Sequence, residues 1–189
     1  MNIEKLEKNL RDLILEEQVK LGYRKELLRL YYPLSSLNHL LEVDCTEEEM
    51  LERMKEFSEA TRTHFGGITA SSQNERFCIQ IPPEGVEYVH EHQEEDDFLV
   101  KFIETIAHHG CTLQDVENLF AGYSDQVFEG SYAGDDFDYL FYFRDNKPND
   151  YRYCITFEGC HVIYHRFTPE DYVDFNFGEV IPVKGEKSL

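Results

Sequence analysis

The spacing of apolar residues predicts two helices near the start of the chain. Residues 2–21 place leucines and isoleucines near one stripe, as in an amphipathic helix that buries one face, and Gly22 marks its expected end. Thr46 and Glu49 have the spacing of a capping box, in which each side chain bonds the other residue's backbone N–H. A second helix is therefore expected from there to about Thr63.

The pattern between and after these helices is mixed. Pro33 suits the first turn of a short helix through Leu41, whereas residues 26–32 fit either a strand or a helix. Residues 77–81 alternate apolar and polar side chains, which is typical of a half-buried strand. Residues 86–92 again leave two readings open, either the returning strand of a hairpin or a turn of helix.

Two more helices are predicted in the middle of the chain. The first runs from about Glu94 to His109 and has four acids at its N-terminus, where the helix dipole favours negative charge. Thr112 and Asp115 have the spacing of an N-terminal cap. They predict a second, shorter helix that ends near Ala121.

After these helices the spacing changes to the period of two that strands require. Large apolar side chains alternate along residues 139–143 and again along 151–157. Glu158 and Gly159 form a tight turn signal, and residues 161–167 supply the returning strand. We interpret this region as an antiparallel meander.

These elements predict an α+β fold. An antiparallel β-meander sheet of about five to six strands is expected to be packed by the N-terminal and central helices, with a last helix starting at Pro169. The length fits a single domain over residues 1–189. Within it, residues 1–65 are expected to be mainly helical, residues 68–177 to hold the sheet plus helices, and residues 178–189 to form a frayed tail.

Charge narrows the range of partners. The chain has 38 acids against 18 Lys and Arg, a net charge of −20, and 24 of the acids fall in residues 63–189 with only eight bases. Such a surface repels phosphate backbones and anionic lipid, so we expect neither nucleic-acid nor membrane binding. A basic protein suits it better. The alternative is that the charge only keeps the protein soluble.

Cysteine use and the N-terminal residues indicate a cytoplasmic protein. The five cysteines are an odd number and none forms a Cys-x-x-Cys pair, so reduced thiols are the simplest interpretation. The first residues are charged and helical in pattern, unlike a signal peptide. No apolar run approaches the ~20 residues that a membrane span needs.

Enzyme and cofactor motifs are missing from the sequence. It has no phosphate-binding glycine loop, nucleophile elbow or zinc-protease motif, and we expect no resident cofactor. Ser71, Ser72 and Ser131 are predicted to lie in loops. The metal candidate is His90 with His92, which would project from one face of a strand about 7 Å apart. A third ligand would come from the acids of residues 94–97, and the alternative is an exposed polar strand end.

Basic and aromatic residues offer a candidate ligand pocket. Arg24 stands in a short basic stretch beside Tyr31 and Tyr32, and His165 with Arg166 supplies further donors. Arginine in such a setting can hold a carboxylate or another anion. The alternative is that these bases pair with the protein's own acids, as surface ion pairs commonly do.

Two parts of the sequence are distinctive enough to suggest a family. Residues 22–25 and 30–37 read Gly-Tyr-Arg-Lys and Leu-Tyr-Tyr-Pro-Leu-Ser-Ser-Leu, and residues 164–172 read Tyr-His-Arg-Phe-Thr-Pro-Glu-Asp-Tyr. Together they resemble an uncharacterised bacterial family, a domain of unknown function of similar length. The resemblance implies a cytoplasmic bacterial protein and brings no activity or site residues.

Three hypotheses about function follow. The first is a non-enzymatic interaction module whose acidic face binds a basic protein, for example a toxin neutralised by an immunity protein. The second is a small-ligand or metal-dependent enzyme that uses the histidine, arginine and tyrosine candidates. The third is self-association through the aromatic meander, because residues 128–177 contain 15 of the 26 aromatic residues.

Overall fold

The chain forms two compact units, each combining helices with an antiparallel sheet. The computed structural model describes residues 2–93 and 97–183, and the units span residues 1–100 and 101–189. The predicted α+β class is confirmed. The expected single sheet is instead two, with three and five strands. The sequence-based subdivision at residues 65–68 falls inside the first unit, since strands on both sides of it pair with each other.

The first unit is built from helices around a three-stranded sheet in the order β1-β3-β2. The sheet is antiparallel throughout. Helix α6 begins at the end of this unit and continues into the second. In chain order the elements are α1 (Ile3–Leu21), β1 (Leu28–Pro33), α2 (Leu34–Leu41), α3 (Glu47–Ala60), α4 (Arg62–Phe65), β2 (Thr69–Gln73), β3 (Arg76–Ile81), α5 (Pro83–Glu91) and α6 (Phe98–Ala107).

Local capping explains where the first helices start and stop, and it confirms the prediction. The Asn2 side chain accepts a hydrogen bond from the backbone N–H of Lys5, and α1 ends at Gly22, whose φ of 80° few other residues adopt easily. Thr46 and Glu49 form the full capping box at the start of α3.

The structure decides between the two alternatives for residues 86–92, and a neighbouring segment differs from the prediction. Residues 86–92 do not form a returning strand, because Pro83 opens α5 and both Val86 and Val89 are buried on that helix. The strand that forms a hairpin with β3 is instead β2, whose sequence Thr-Ala-Ser-Ser-Gln has no apolar alternation. Ser71 and Ser72 therefore lie in a strand rather than in a loop.

The second unit contains the predicted meander. Its five strands lie in the order β7-β6-β5-β4-β8, all antiparallel. The prediction of a frayed tail over residues 178–189 is wrong for residues 180–182, which form β8 and pair with β4. Residues 184–189 lie outside the described residues. The further elements are α7 (Leu113–Tyr123), β4 (Val127–Tyr132), β5 (Tyr139–Phe143), β6 (Arg152–Glu158), β7 (His161–Phe167), α8 (Pro169–Phe175) and β8 (Val180–Pro182).

Aromatic side chains of the helices pack against one face of this sheet. Phe120 of α7 lies 5.0 Å from Phe141, 5.1 Å from Phe143 and 5.4 Å from Tyr153, measured between ring centroids. Phe102 of α6 lies 4.8 Å from the same tyrosine. All five rings are fully buried. Much of the aromatic content of residues 128–177 therefore serves the core of this unit.

The cap of α7 makes one pH prediction. Thr112 donates its hydroxyl and its backbone N–H to the Asp115 carboxylate, at 2.7 and 2.8 Å, and these bonds lower the pKa of Asp115. A folded-state pKa below the unfolded one stabilises the protein above the unfolded pKa, and this stabilisation disappears as the pH falls through the folded pKa. Asp115→Ala should therefore lower the free energy of unfolding at pH 7 and cost less in acid.

Urea denaturation at pH 7 and at pH 3 checks this prediction. The control Asp125→Ala removes an exposed carboxylate just after α7 and should change stability little at either pH. An Asp115→Ala penalty that is as large at pH 3 as at pH 7 would contradict the cap assignment.

None of the helices within residues 2–93 and 97–183 combines the length and the apolar character that a membrane span requires.

Candidate functional site

The first unit contains a cleft of about 300 Å³ that combines an apolar floor with polar walls. We call it the histidine cleft. Helix α1 contributes Glu4, Glu7, Lys8 and Arg11; α4 contributes His64 and Phe65; and the end of α5 contributes Tyr88, Val89 and His92. Phe65 and Val89 are buried, so ionisable groups converge above an apolar base. Such a combination is typical of small-molecule sites.

A carboxylate–imidazole pair defines one wall of the histidine cleft. Nδ1 of His64 is hydrogen-bonded to Oε1 of Glu7. An ionised carboxylate can only accept, so Nδ1 must carry the proton. In the neutral ring, Nε2 is then left as a hydrogen-bond acceptor.

His92 is held in the same tautomer by a different partner. Its Nδ1 lies 2.8 Å from the backbone oxygen of Tyr88, and a carbonyl oxygen only accepts, so this nitrogen also carries the proton. The Tyr88 ring stacks on His92 at 4.0 Å and on His64 at 5.1 Å between centroids. The cleft thus presents two imidazoles with acceptor nitrogens on either end of an aromatic stack.

The arginine of the cleft is balanced by acids of its own unit. Arg11 lies 3.2 Å from Asp97 and 3.6 Å from Asp12. Asp97 also accepts from the backbone N–H of Leu99 at 3.0 Å, which caps the start of α6. The positive charge of Arg11 is therefore largely offset before any ligand arrives.

The structure does not support the geometry expected for a metal at His90 and His92. The two residues lie at the end of helix α5 and not on a strand, and their rings stack on different tyrosines, His90 on Tyr23 and His92 on Tyr88. Of the proposed third ligands, residues 94–96 lie outside the described residues. Within the described chain, no group of three or more His, Cys, Asp or Glu is placed to hold a metal ion.

The residues of the predicted ligand pocket take separate roles in the first unit. Arg24 lines a smaller cavity of about 160 Å³ beside Gln18 and Val86. Tyr31 is 64% exposed. Tyr32 is buried and donates its hydroxyl to Oδ1 of Asn9 at 2.7 Å, so it joins β1 to α1 rather than lining that cavity.

The neighbouring bases support the alternative of internal charge balance. Lys20 lies 2.6 Å from Glu16, and Lys25 lies 2.6 Å from Glu87. The hydrogen bond that Lys25 donates to the Glu87 carboxylate raises the pKa of Lys25. Two of the bases next to Arg24 are therefore already paired with acids of the same unit.

His165 and Arg166, in the second unit, are successive residues of β7 and so point to opposite faces of the sheet. The Arg166 guanidinium lies 4.3 Å from the centre of the Tyr151 ring. His165 is exposed and stacks on Phe167 at 6.1 Å. The two residues therefore do not line one site on this strand.

A second candidate lies on the surface of this unit, at α8 and β8. We call it the α8–β8 surface and define it by four exposed apolar residues and the exposed acids between them. The apolar residues are Val173 (73% exposed), Phe175 (62%), Ile181 (53%) and Val183 (46%). The acids are Asp174 and Glu179. Charge and apolar area thus alternate within residues 173–183.

Aromatic rings support this surface from below. Phe175 lies 5.3 Å from Phe167 and 5.6 Å from Phe177, and these two rings lie 5.2 Å apart. The backbone N–H of Gly178 donates to Oδ2 of Asp136 at 3.0 Å, which holds the connection to β8 in place. The exposed Phe175 ring is therefore held in place by its aromatic neighbours.

Cys154, one of two buried cysteines of the second unit, is held as a protonated thiol. Cys154 is fully buried, and burial raises its pKa to about 11. The Tyr132 hydroxyl lies 3.3 Å from Sγ of Cys154 and 2.7 Å from the Tyr172 hydroxyl, and burial also raises the pKa of Tyr132. This small network stays protonated at neutral pH and joins α8 to the sheet.

Sequence reasoning named only one residue of the histidine cleft, His92. Glu7 and His64 are distant along the chain, and Tyr88 lies in residues 86–92, whose sequence fits either a strand or a helix. No local motif links them. The spacing of α1 does place Glu4, Glu7, Lys8 and Arg11 on its polar side, which is the only signal that the sequence contains.

Comparison with known proteins identifies a family and no characterised relative. The family model described as "Domain of unknown function, E. rectale Gene description (DUF3877)" matches residues 3–176. No curated protein and no solved structure matches the chain.

Proposed function

We propose that this chain, which belongs to the DUF3877 family, is a non-enzymatic cytoplasmic interaction protein that binds a basic protein partner on its α8–β8 surface. The observation on which the proposal depends is the exposure of four large apolar side chains within residues 173–183, with two exposed acids between them along the chain. It combines the two features that a specific protein interface uses, an apolar centre and a charged rim.

The exposed side chains supply the apolar centre. A single exposed apolar residue needs no explanation, but four of them within residues 173–183 supply the kind of exposed apolar area that sites of interaction use. Phe175 is the natural anchor, because aromatic residues dominate the binding energy of interfaces and its ring is already ordered by Phe167 and Phe177. A partner that covers it would remove 62% of its surface from water.

The acids indicate the charge of the partner. Asp174 and Glu179 lie within the surface, and the chain as a whole has a net charge of −20. Complementary charge speeds association and selects the partner more than it adds affinity. A basic protein with an apolar pocket for Phe175 therefore fits this surface best.

The test is affinity capture of basic proteins from an extract of the native cell by three forms of the tagged chain. Besides the wild type, the surface variant Asp174→Asn/Glu179→Gln removes two charges without changing shape. The matched control Asp44→Asn/Glu48→Gln removes the same two charges from exposed positions of the first unit. We expect one basic protein to be enriched by the wild type and the control and to be lost with the surface variant.

Two further measurements, capture at higher salt and light scattering, complete the experiment. Because exposed charges are screened within about 8 Å at physiological ionic strength, raising the salt should reduce capture of that protein by the wild type. Equal capture by all three forms, or no basic protein enriched, would count against the proposal. Light scattering that shows a dimer broken by Phe175→Ala would replace it with self-association through the same surface.

A further inference from the structure

The histidine cleft of the first unit has features that the proposed interaction does not use. It lies on α1, α4 and α5, whereas the α8–β8 surface belongs to the second unit. Its volume of about 300 Å³ is at the lower end of the range for small-molecule sites. The cleft is therefore the right size for a compact ligand and too small for a dinucleotide.

The chemistry of the walls indicates what such a ligand must offer. The stack of His64, Tyr88 and His92 presents flat aromatic surface, which favours a ring in the ligand. With both Nδ1 atoms already donating, the Nε2 atoms of His64 and His92 can accept hydrogen bonds from it. The ligand should therefore combine an aromatic ring with N–H or O–H donors.

The charges of the cleft favour a cation. Glu4 and Glu7 line it directly, and Arg11 is offset by Asp12 and Asp97. Lys8 is the remaining base among the residues that line it, and it is exposed to solvent. The acids around the cleft outnumber the bases, so an ammonium group is attracted and a carboxylate is repelled.

We propose that the histidine cleft binds a small aromatic amine. Its ring lies against the histidine–tyrosine stack, its ammonium group faces Glu4 and Glu7, and its remaining donors reach the free Nε2 atoms. The cation and the aromatic rings also attract each other directly. This inference concerns ligand binding and does not depend on the protein partner proposed above.

Two probes that share a phenol ring and a two-carbon arm, and differ in the charged group at its end, test the proposal. Tyramine has a phenol ring and an ammonium group, and 3-(4-hydroxyphenyl)propionate has the same ring with a carboxylate. In an NMR titration of the full chain, tyramine should shift the signals of His64, Tyr88 and His92 in a saturable way. The propionate should bind at least about tenfold more weakly, since reversing a charge in a site removes a strong hydrogen bond and adds repulsion.

Three variants connect the binding to the cleft. Glu7→Gln should weaken tyramine binding about tenfold, because it removes one of the two carboxylates that line the cleft and the fixed tautomer of His64. Tyr88→Leu should abolish the shifts at the two histidines by removing the ring between them. Glu59→Gln, at an exposed position of α3, is the matched control and should leave the affinity for tyramine unchanged.

The outcomes separate binding from damage to the fold. If Tyr88→Leu lowers the melting temperature of the protein, His92→Gln takes its place as the variant that alters the stack. His92 is exposed at the end of α5, so its replacement should not unfold the chain. Equal affinity for the two probes, no saturable shift at the cleft, or an affinity unchanged by Glu7→Gln would each overturn the proposal. None of these results bears on the α8–β8 surface.

Discussion

Replacing Phe120 by alanine should lower the free energy of unfolding by about 3–5 kcal/mol, the usual cost of removing a buried ring. Phe120 is fully buried and joins α7 to the sheet through Phe141, Phe143 and Tyr153. Its ring also meets the edge of Phe102 at 6.2 Å. These partners are themselves held by strands and by α6, so they cannot close over the cavity that alanine would leave.

Denaturant unfolding measures this loss, and Phe175→Ala provides a matched control. The chemical change is the same, but the Phe175 ring is 62% exposed and its removal should change stability by roughly 0.5 kcal/mol or less. The control should nevertheless weaken capture of the basic partner. A Phe120→Ala penalty below about 1 kcal/mol would show that α7 does not anchor this sheet.

Gly85→Ala should lower the free energy of unfolding by about 1–3 kcal/mol, the usual cost of overpacking a tight contact. A Cβ at this position of α5 would lie 2.4 Å from the backbone oxygen of Phe65 and 2.8 Å from its Cα. These are main-chain atoms, so they cannot rotate away as a side chain would. The start of α5 must instead move away from α4.

Because α4 and α5 both line the histidine cleft, this variant should also disturb the stack of His64 and Tyr88. Thermal melting together with the NMR signals of the two rings measures both effects. Gly122→Ala is the control, since a Cβ there meets nothing within 4 Å and alanine is the better helix former by up to about 1 kcal/mol. If Gly85→Ala proved as stable as the wild type, α4 and α5 would not pack as closely as described.

Capping explains why the helices could be predicted well. Thr46 with Glu49 and Thr112 with Asp115 form complete capping boxes, and Thr168 accepts from the backbone N–H of Asp171 at the start of α8. These bonds join residues three positions apart, so the pairs that make them can be recognised in the sequence from their separation. The same is true of the meander, whose period-two alternation is visible within its strands.

Strand pairing at the edges escaped prediction because its stabilisation comes from distant partners. Strand β2 has no large apolar residue and is a strand only because β3 offers it a hydrogen-bonding edge. Strand β8 has three residues and depends in the same way on β4. Residues 86–92 showed apolar positions that fit either period, and the proline at the start of α5 together with burial of Val86 and Val89 decided for helix.

By itself the sequence determined the acidic charge, the α+β class, the helix caps and the meander, because each of these depends on composition or on residues a few positions apart. Only the tertiary structure decided which side chains meet: Glu7 with His64, Tyr88 between two histidines, and Phe175 in water while Phe120 is buried. These arrangements depend on how elements far apart in the chain pack. No local spacing encodes that packing, and both proposed sites depend on it.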